Sequence, residues 1–508
     1  MIPLDVISRH AAAMPSKVAV ADDATRLTWA ELEAATRAVR AWLTHALDAD
    51  REHRAVVIGR NRPETAVAAA ALTSLGVPWV GIDPSRDAAT VEAQFGAVDP
   101  TIAVADSWLP SLPASWRETW GRSAVLLDLA PDAAASPTVT PFAVAAEPGR
   151  PDAEWRRPPF LALGFTSGST GVPKLFVRRS KTENQRVGYL HDAFDFGPAD
   201  TFLVSSPLAH ASGHVWAGAA LALGGSIRLV EPDPAGVVRT VARERLTGAF
   251  FVPPFLEEVV AEATGPAAGE DLTSLRFLLT GGRHVTPRTI RRVTERFGPI
   301  LHLYYATTET GINTMAGPNE LRAEPYSAGR PMPGVRIRAL DPATRGPLPA
   351  GQVGLLAINS RFNMDEYVHR ESDMVELDGE RYIVTSDFGR LDAFGRLFFT
   401  GRSDPHAGPG AIDVVRMESD VEDVPGVRDG CVVRHGAGEQ VLVVAAVVLE
   451  PGAERASALR EAERAARRHV PGAVVVAVDR IPYNTAGKVD QRQLRAALES
   501  ALPVPVAR

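Results

Sequence analysis

Residues with hydroxyl side chains, two glycines and one lysine are concentrated in one segment of the sequence. Residues 165–174 read FTSGSTGVPK and follow the apolar run 160–164, which predicts a buried strand. Glycines let the backbone approach an anion closely, hydroxyls and amides donate to its oxygens, and Lys174 adds a positive charge. The candidate binding residues are Thr166, Ser167, Gly168, Ser169, Thr170, Gly171 and Lys174. This chemistry predicts a loop that binds a polyphosphate.

The spacing of this loop differs from that of a Walker A loop. A Walker A lysine follows a glycine and precedes a serine or threonine, whereas this lysine stands between Pro173 and Leu175. A segment rich in serine, threonine and glycine is also typical of a surface turn. The segment alone leaves both interpretations open, and the rest of the chain must decide between them.

The composition indicates a large globular protein without a basic footprint for nucleic acid. The chain has 508 residues, of which 45% are apolar, and this is enough for several domains. The formal net charge is -7, so no basic footprint suggests a nucleic-acid partner, and no apolar run has membrane length. The single cysteine, Cys431, excludes an internal disulfide. Together with an N-terminus that lacks a basic and apolar leader, it predicts a cytoplasmic protein.

Helical and strand patterns alternate along the chain and predict an α/β fold. Residues 28–47 carry apolar side chains at intervals of three and four, which is typical of an amphipathic helix. Residues 131–152, rich in alanine, proline and serine, predict a loop. A second helix is predicted over 457–469. The predicted strands are 55–58, 227–230, 250–252, 441–449 and 473–477.

Four more motifs follow the phosphate-binding segment, and the five together carry a family resemblance. They read YATTE, TSD, GRSD and PYNTAGK, at residues 305–309, 385–387, 401–404 and 482–488. In this order they resemble the superfamily of adenylate-forming enzymes, which contains acyl-CoA synthetases, adenylation domains of nonribosomal peptide synthetases and luciferases. Segments 61–64 and 329–334 match as well, so the resemblance covers nearly the whole chain.

The resemblance implies a two-domain architecture of the α/β class. A large N-terminal AMP-binding domain with several sheets is expected over residues 1–403, and a small mobile α+β domain over residues 404–508. Asp404 is the expected hinge, and the small domain carries the catalytic lysine. Ligand sites are expected between the two domains, as is common for cofactor sites.

The resemblance also implies a reaction in which a carboxylate oxygen joins the α-phosphorus of ATP and pyrophosphate leaves. Because one anion must approach another, positive charge has to surround the transferring phosphorus. By resemblance, Lys488 bridges the substrate carboxylate and the α-phosphate, and the loop from Thr166 to Lys174 holds the β- and γ-phosphates. Thr308 contacts the α-phosphate, and Glu309 binds Mg²⁺ as a hard oxygen ligand.

The same resemblance assigns the residues that are expected to contact the nucleoside. Tyr305 is expected to stack on adenine, and Gly281 and Gly282 are expected to line the purine slot. Asp387 is expected to accept hydrogen bonds from the ribose hydroxyls, with support from Arg402. Each of these residues alone is also typical of a turn, a helix cap or a surface ion pair. The ordered set of motifs is what supports the assignment.

The candidates for the wall of the substrate pocket are His210, Arg283, His284 and Ala306. Segment 207–210 resembles a Pro-Leu-Phe-His segment of the family, whereas His214 lacks the further ligands of a zinc site and is expected to pack. Amino-acid-activating relatives carry an aspartate in the segment corresponding to 208–214. None occurs here, which argues against an α-amino acid. Arg283 and His284 either contact an acidic or polar substrate or point to solvent.

The acceptor of the activated acid is left open by the sequence. Residues 405–422 depart from the pattern that lines the CoA tunnel in relatives, and Val424 runs straight into Pro425. The alternatives are CoA, a carrier protein acting in trans, an amine, or nitrite in a diazotising branch of the superfamily. A non-catalytic nucleotide-binding relative is a further alternative. The complete set of Lys174, Glu309, Asp387 and Lys488 argues against it.

Overall fold

The computed structural model describes residues 1–113, 115–159, 161–166, 174–179, 184–368, 371–402, 412–435, 442–485 and 487–501. The chain forms two compact units, and both contain helices and strands, which confirms the predicted α/β class. The first unit comprises Met1–Phe251, Ala261–Leu278 and Met364–Ser372, and the second comprises Val252–Val260, Leu279–Asn363 and Asp373–Arg508. Residues 403 and 404 lie outside the described residues, so the division into 1–403 and 404–508 stays a prediction.

The elements up to residue 251 belong to the first unit. They are α1 (Leu4–Ala13), β1 (Val18–Ala21), β2 (Arg26–Thr28), α2 (Trp29–Ala46), β3 (Ala55–Ile58), α3 (Pro63–Leu75), β4 (Trp79–Gly81), α4 (Ala88–Val98), β5 (Ile102–Ala105), α5 (Trp116–Trp120), β6 (Val125–Asp128), β7 (Val139–Pro141), α6 (Phe142–Ala145), β8 (Ala162–Phe165), β9 (Leu175–Arg178), α7 (Gln185–Phe194), β10 (Thr201–Val204), α8 (Ala211–Ala222), β11 (Ser226–Leu229), α9 (Pro234–Glu244) and β12 (Gly248–Phe251).

The remaining elements follow in chain order. They are α10 (Pro253–Thr264), β13 (Phe277–Gly281), α11 (Pro287–Phe297), β14 (Leu301–Thr307), β15 (Gly311–Ala316), α12 (Pro318–Ala323), β16 (Arg330–Pro331), β17 (Val335–Leu340), β18 (Gly354–Ser360), β19 (Glu366–Tyr367), β20 (Met374–Leu377), β21 (Glu380–Leu391), β22 (Leu397–Arg402), α13 (Val414–Glu422), β23 (Val427–His435), β24 (Leu442–Leu449), α14 (Arg455–Arg467), β25 (Val474–Ala477) and α15 (Gln491–Ala501).

A parallel sheet of order β4–β3–β5–β6–β7 forms one core of the first unit. Its strands β3 and β5 are buried along their whole length, as expected of parallel strands covered on both faces. A second sheet has the order β12–β10–β11–β1–β2, parallel except at its edge strand β2. The antiparallel pair β8–β9 flanks the predicted phosphate-binding segment.

The second unit contains several antiparallel strand pairs. β14, β15 and β16 pair in this order, and β17, β18, β21 and β20 form another sheet, with β22 on β21. The C-terminal part of the unit pairs β23 with β24 and β24 with β25. The helices α13 and α14 pack their apolar side chains on this last sheet. These strands carry three of the predicted nucleotide-binding residues, Tyr305 on β14, Asp387 on β21 and Arg402 on β22.

The elements that local sequence signals predicted are found within a few residues of their predicted bounds. The predicted helix 28–47 is α2, and a capping box between Thr28 and Glu31 fixes its first turn. The predicted helix 457–469 is α14, which begins and ends two residues earlier. The prediction of a plain loop over 131–152 is wrong in part, because β7 and α6 lie within it. Among the described residues, no helix is both long and apolar enough to cross a membrane.

Candidate active site

Three predicted nucleotide-binding residues form one hydrogen-bonded group in the second unit. The antiparallel register of β21 and β22 sets Asp387 opposite Arg402. Arg402 Nε donates to Asp387 Oδ1 over 2.7 Å, and the hydroxyl of Tyr305, on β14, donates to Oδ2 over 2.7 Å. Burial and the neighbouring Asp387 raise the pKa of Tyr305 well above its usual value. The phenol therefore stays a neutral donor at any physiological pH.

The Asp387 carboxylate retains acceptor capacity beyond these two bonds. Its side chain is 2% exposed, and each oxygen accepts one of the two bonds described above. A carboxylate oxygen has room for about two donors, so both oxygens still have a lone pair for a hydroxyl. The contact with ribose hydroxyls that the sequence analysis expects for Asp387 stays a prediction.

Lys488 lies within electrostatic reach of this group. Burial and the positive charge of Arg402 lower its pKa to about 8, while Asp387 and Glu309 act in the opposite direction. Two cations, Lys488 and Arg402, thus repel each other at the edge of the group. Such an arrangement becomes favourable when an anion binds beside both cations, so the residues present fit a phosphate.

A tight loop presents Lys488. Its amide donates to Asn484 Oδ1 over 3.1 Å, and its carbonyl accepts from the Asn484 amide over 2.9 Å. Gly487 has a φ of +71°, and a Cβ there would lie 2.7 Å from Cβ of Val252. Glycine is therefore required at this turn. An isolated bridge between Tyr483 and Val489 closes the loop.

The predicted purine-slot glycines end strand β13. A Cβ on Gly281 would lie 2.6 Å from a ring carbon of Tyr304, and Gly282 has a φ of +95°. Both positions therefore exclude larger residues in this backbone conformation. Thr308 and Glu309 lie in the turn between β14 and β15, and Ala306 precedes them on β14.

A hydrogen-bonded triad that the sequence analysis missed fixes this turn. The hydroxyls of Thr307 and Thr310 are 2.8 Å apart, and the Thr310 hydroxyl donates to Asn313 Oδ1 over 2.8 Å. Thr310 and Asn313 are fully buried. The sequence offered a weak signal in the polar residues of 307–314, which would be unusual in a plain strand.

In the first unit, the two ends of the predicted phosphate loop are tied together. The Thr166 amide donates to the Lys174 carbonyl over 2.9 Å, and the Lys174 amide donates to the Thr166 hydroxyl over 3.3 Å. The ammonium of Lys174 lies 5.7 Å from the ring centroid of Tyr367. The other predicted residues lie outside the described residues: Ser167, Gly168, Ser169, Thr170, Gly171 and, after β22, the expected hinge Asp404.

His210 stands at the N-terminus of α8, also in the first unit. Its Nε2 lies 3.2 Å from Oδ2 of the buried Asp83, a partner that the sequence analysis missed. His214 is partly buried, its ring centroid lies 4.8 Å from that of Trp79, and desolvation is the main cause that lowers its pKa to about 3. It therefore packs as a neutral ring. Within the described ranges, no cluster of three or more His, Cys, Asp or Glu side chains could hold a metal.

Asn61 holds the segment that leads to His210. Its amide nitrogen donates to the carbonyls of Ser206 and Val230 over 3.0 and 3.3 Å, and its oxygen accepts from the Leu208 amide over 2.8 Å. This buried side chain connects the motif at 61–64 to the backbone beyond β10 and β11. The sequence analysis noted the motif without assigning it a role.

Arg283 and His284 are placed in an ionic cluster. Both side chains pair with Glu418, at 2.9 and 2.8 Å. They lie in the second unit, as do the other predicted residues from Gly281 to Lys488, whereas Thr166, Lys174 and His210 belong to the first. The predicted contact of Arg283 and His284 with a substrate stays a prediction.

Comparison with known proteins identifies relatives of the whole chain. A family model described as AMP-binding enzyme matches residues 7–368. The L-proline–[L-prolyl-carrier protein] ligase of Streptomyces coelicolor is 27% identical over 537 residues, covering 100% of this chain and 98% of that protein. The medium/long-chain-fatty-acid–CoA ligase FadD8 of Mycobacterium tuberculosis is 27% identical over 354 residues. That alignment covers 66% of this chain and 61% of the length of FadD8.

The fold has a similar counterpart among solved structures. The amide bond synthetase McbA from Marinactinospora thermotolerans matches with a TM-score of 0.82 and 25% sequence identity. The match covers 97% of this chain and 99% of McbA.

Proposed function

Because this chain belongs to the AMP-binding enzyme family, whose model matches residues 7–368, we propose that it activates a small carboxylic acid other than an α-amino acid. The family resemblance stated from the motifs is confirmed, and the chain is an adenylate-forming ligase. In the proposed reaction a carboxylate oxygen attacks the α-phosphorus of ATP, the bond to the β-phosphate oxygen breaks, and pyrophosphate leaves. The acyl adenylate then passes its acyl group to an acceptor, in the cytoplasm.

The observation that carries the proposal is the group formed by Tyr305, Asp387, Arg402 and Lys488. Asp387 offers acceptors for the ribose, and Tyr305 lies beside it as an aromatic surface for adenine. Lys488 and Arg402 supply positive charge where the α-phosphate and the attacking carboxylate would meet. A binding site for a nucleoside and a site for its phosphate are thus joined in one cluster.

The remaining roles follow the family motifs. Gly281 and Gly282 line the purine slot, Thr308 donates to the α-phosphate, and the loop from Thr166 to Lys174 holds the β- and γ-phosphates. Glu309 would hold Mg²⁺, which neutralises charge on phosphate oxygens when bound. A single protein carboxylate fits Mg²⁺, since this ion takes most of its ligands from phosphates and water.

The proposed domain organisation completes the function. A domain of residues 1–403 binds the nucleotide, and a domain of residues 404–508 brings Lys488 to it, with Asp404 as the hinge. His210 and Ala306 form part of the wall around the acid. The absence of an aspartate at positions 208–214 supports an acid without an α-ammonium group.

The acceptor is proposed to be CoA, with a carrier protein or an amine as the second candidate. The second candidate rests on the divergence of residues 405–422 and on the relatives. One relative that aligns over the full chain is a carrier-protein ligase, and the similar solved structure is an amide bond synthetase. Nitrite remains an outcome to be tested.

Pyrophosphate–ATP exchange in the absence of any acceptor tests the proposal. The panel contains fatty, aryl and α-amino acids and nitrite, and binding of ATP is measured separately. We expect exchange with at least one acid that lacks an α-amino group. Exchange with nitrite alone would move the function to the diazotising alternative. ATP binding without exchange for any member, or release of ADP, would contradict acid adenylation.

A further inference from the structure

A buried ionic cluster lies in the second unit, on residues that carry no role in the proposed reaction. Glu418, on helix α13, is 3% exposed and accepts three hydrogen bonds. Its donors are Arg283 Nη2 at 2.9 Å, His284 Nε2 at 2.8 Å and the amide of Val432 at 2.7 Å. Burial alone would raise the pKa of Glu418, but Arg283 and His284 lower it to about 2. The carboxylate is therefore ionised, and both of its oxygens accept hydrogen bonds.

Arg283 is the centre of this cluster. Besides Glu418, it donates to the hydroxyl of Tyr483 over 2.7 Å and to the carbonyl of Gly430 over 3.0 Å. Its guanidinium lies 5.2 Å from the ring centroid of Tyr483, and the Tyr483 hydroxyl donates to Asp429 over 2.9 Å. We name Arg283, His284, Glu418, Asp429 and Tyr483 the Arg283 clasp.

The clasp is connected directly to the loop that presents Lys488. Tyr483 is bridged to Val489, and the backbone of Asn484 bonds to that of Lys488. Tyr483 is thus the fixed end of a short closed loop, and Arg283 holds Tyr483 through its hydroxyl and its ring. In the sequence, Arg283 immediately follows Gly281 and Gly282, the glycines of the predicted purine slot. One side chain thereby links the predicted purine slot to the lysine loop.

The cost of such a cluster suggests a role other than stability. A buried ion pair is often no better for stability than apolar side chains of the same size, because both charges lose their hydration. What a planar guanidinium with several donors adds is a fixed geometry between the groups that it joins. Here those groups are α13, β23 and the lysine loop.

We propose that the Arg283 clasp positions Lys488 for adenylation, and that Arg283 acts through Tyr483 rather than on the substrate. The inference rests on the proposed function, because it gives Lys488 its catalytic task. Arg283 is accordingly a positioning residue. A misplacement of about 1 Å can lower a rate about 100-fold, and a loosened lysine loop would have this effect.

The test uses full-length variants in pyrophosphate–ATP exchange with an acid that the wild-type protein activates. Tyr483→Phe removes the hydroxyl and keeps the ring, and Arg283→Met/Glu418→Gln removes both charges so that neither is left unpaired. We expect kcat to fall about 10- to 100-fold with little change in KM for the acid or for ATP. Arg283→Lys should restore only part of the rate, since lysine cannot bond Glu418 and Tyr483 with one planar fork.

A double-variant comparison separates positioning from general damage to the fold. If Arg283 acts only through Lys488, the Arg283→Met/Glu418→Gln change should cost almost nothing in a Lys488→Ala background. Equal losses in both backgrounds would overturn the proposal. So would a higher KM for the acid with unchanged kcat, which would instead make Arg283 a substrate contact.

Chemical labelling gives a readout that does not depend on activity. The sequence contains four lysines, Lys17, Lys174, Lys181 and Lys488, so acetylation of each is easily followed by mass spectrometry. We expect the clasp variants to label faster at Lys488 while labelling at Lys17, in the first unit, stays unchanged. Unchanged labelling at Lys488 in the clasp variants would contradict the positioning role of Arg283, whether or not the wild-type protein shows exchange. Absence of exchange in the wild-type protein would count against the proposed function alone.

Arg291→Ala is the matched control. Arg291 also pairs with an acidic residue at the end of α13, Asp423, but this pair is exposed and spans 3.3 Å. Exposed ion pairs contribute little to stability, so this variant should keep its rate and its labelling pattern. Arg288 also donates to the carbonyls of Glu422 and Val427. This contact remains in the clasp variants and should help keep α13 and β23 in place.

Discussion

The charge of Lys488 is the feature on which the proposed chemistry depends most. Its neighbours Arg402, Asp387 and Glu309 contribute charges of both signs, and its ammonium is the group that would meet the developing charge at the α-phosphorus. The motif at 482–488 predicted this residue, because a lysine after a glycine turn is easily recognised in sequence. Its surroundings come from three other segments, which only the fold brings together.

Lys488→Ala is expected to lower the rate of adenylation by two or more orders of magnitude, as loss of a charged contact to a transition state commonly does. Binding of ATP should be nearly unchanged, because this contact gains most of its strength in the transition state. Pyrophosphate–ATP exchange measures the rate, and calorimetric titration measures ATP affinity. A rate close to that of the wild-type protein would contradict the assigned role.

Asp387→Ala is expected to weaken the binding of ATP, in contrast to Lys488→Ala, which is expected to lower the rate. The carboxylate bonds Tyr305 and Arg402 and is the expected acceptor for the ribose. A hydrogen bond to a charged group contributes about 1.5–3 kcal/mol, so ATP affinity should fall roughly 10- to 100-fold. Titration with ATP checks this. A loss of turnover with unaltered ATP affinity would be incompatible with a ribose contact.

At the scale of elements, Asn61 connects the start of α3 to the backbone beyond β10 and β11. Its replacement by alanine leaves buried backbone groups without their partner, which costs about 1–3 kcal/mol for each such group. We expect Asn61→Ala to destabilise the first unit by about 2–4 kcal/mol. All eight tryptophans precede residue 217, so their fluorescence during urea unfolding reports on this unit.

The control for this measurement is Thr119→Ala, which removes an exposed hydrogen bond to the Ser115 carbonyl. Its effect should stay within about 0.5 kcal/mol, as for most surface changes. If Asn61→Ala shifted the unfolding transition no more than Thr119→Ala, the bridging role of Asn61 would be wrong.

Elements with strong local signals were predicted from the sequence, and two short elements without such signals were missed. Helix α2 has a capping box and an apolar stripe, and strand β3 is an apolar run of four residues. By contrast, β7 has three residues and α6 has four, in a segment rich in proline and alanine. Elements this short carry too little periodicity to be distinguished from a loop. Strand β7 forms because its neighbour β6 supplies its hydrogen bonds.

At the scale of the whole molecule, the least predictable contacts are those between charges far apart in sequence. Arg283 lies 135 positions from Glu418 and 200 positions from Tyr483. No local pattern connects these residues, so the sequence could suggest only that Arg283 and His284 contact a substrate or face solvent. The ordered motifs predicted the family and the nucleotide group, while the buried partners required the fold.

From the contacts of Glu418 in the Arg283 clasp, we expect the stability of the second unit to depend on pH. Burial alone would raise the pKa of Glu418, but Arg283 and His284 lower it from the usual 4.5 to about 2. A carboxylate with a lowered pKa stabilises the fold fully above its unfolded pKa, and this contribution is lost as the pH falls from 4.5 toward 2. Glu418→Gln removes the charge at every pH.

The difference in stability between the wild-type protein and Glu418→Gln should therefore be largest near neutral pH and shrink below pH 4.5. Hydrogen exchange in α13 and β23, measured from pH 7 downward, reports it locally. Acidic groups outside the cluster titrate equally in both proteins and cancel in the comparison, whereas Glu422 and Asp429, whose pKa values the charge of Glu418 raises, do not. A difference that stays constant across this range would show that Glu418 is not held ionised by its partners.

The central claim is that a carboxylate oxygen of the substrate becomes bonded to the α-phosphorus of ATP. The most direct measurement uses an acid labelled with ¹⁸O in its carboxylate, ATP and an acceptor, followed by mass spectrometry of the nucleotide product. Adenylation predicts AMP that carries one ¹⁸O atom in its phosphate, because cleavage of the acyl adenylate leaves the bridging oxygen on phosphorus. Unlabelled AMP, or ADP together with ¹⁸O-labelled inorganic phosphate, would contradict the claim and indicate activation at a different phosphorus.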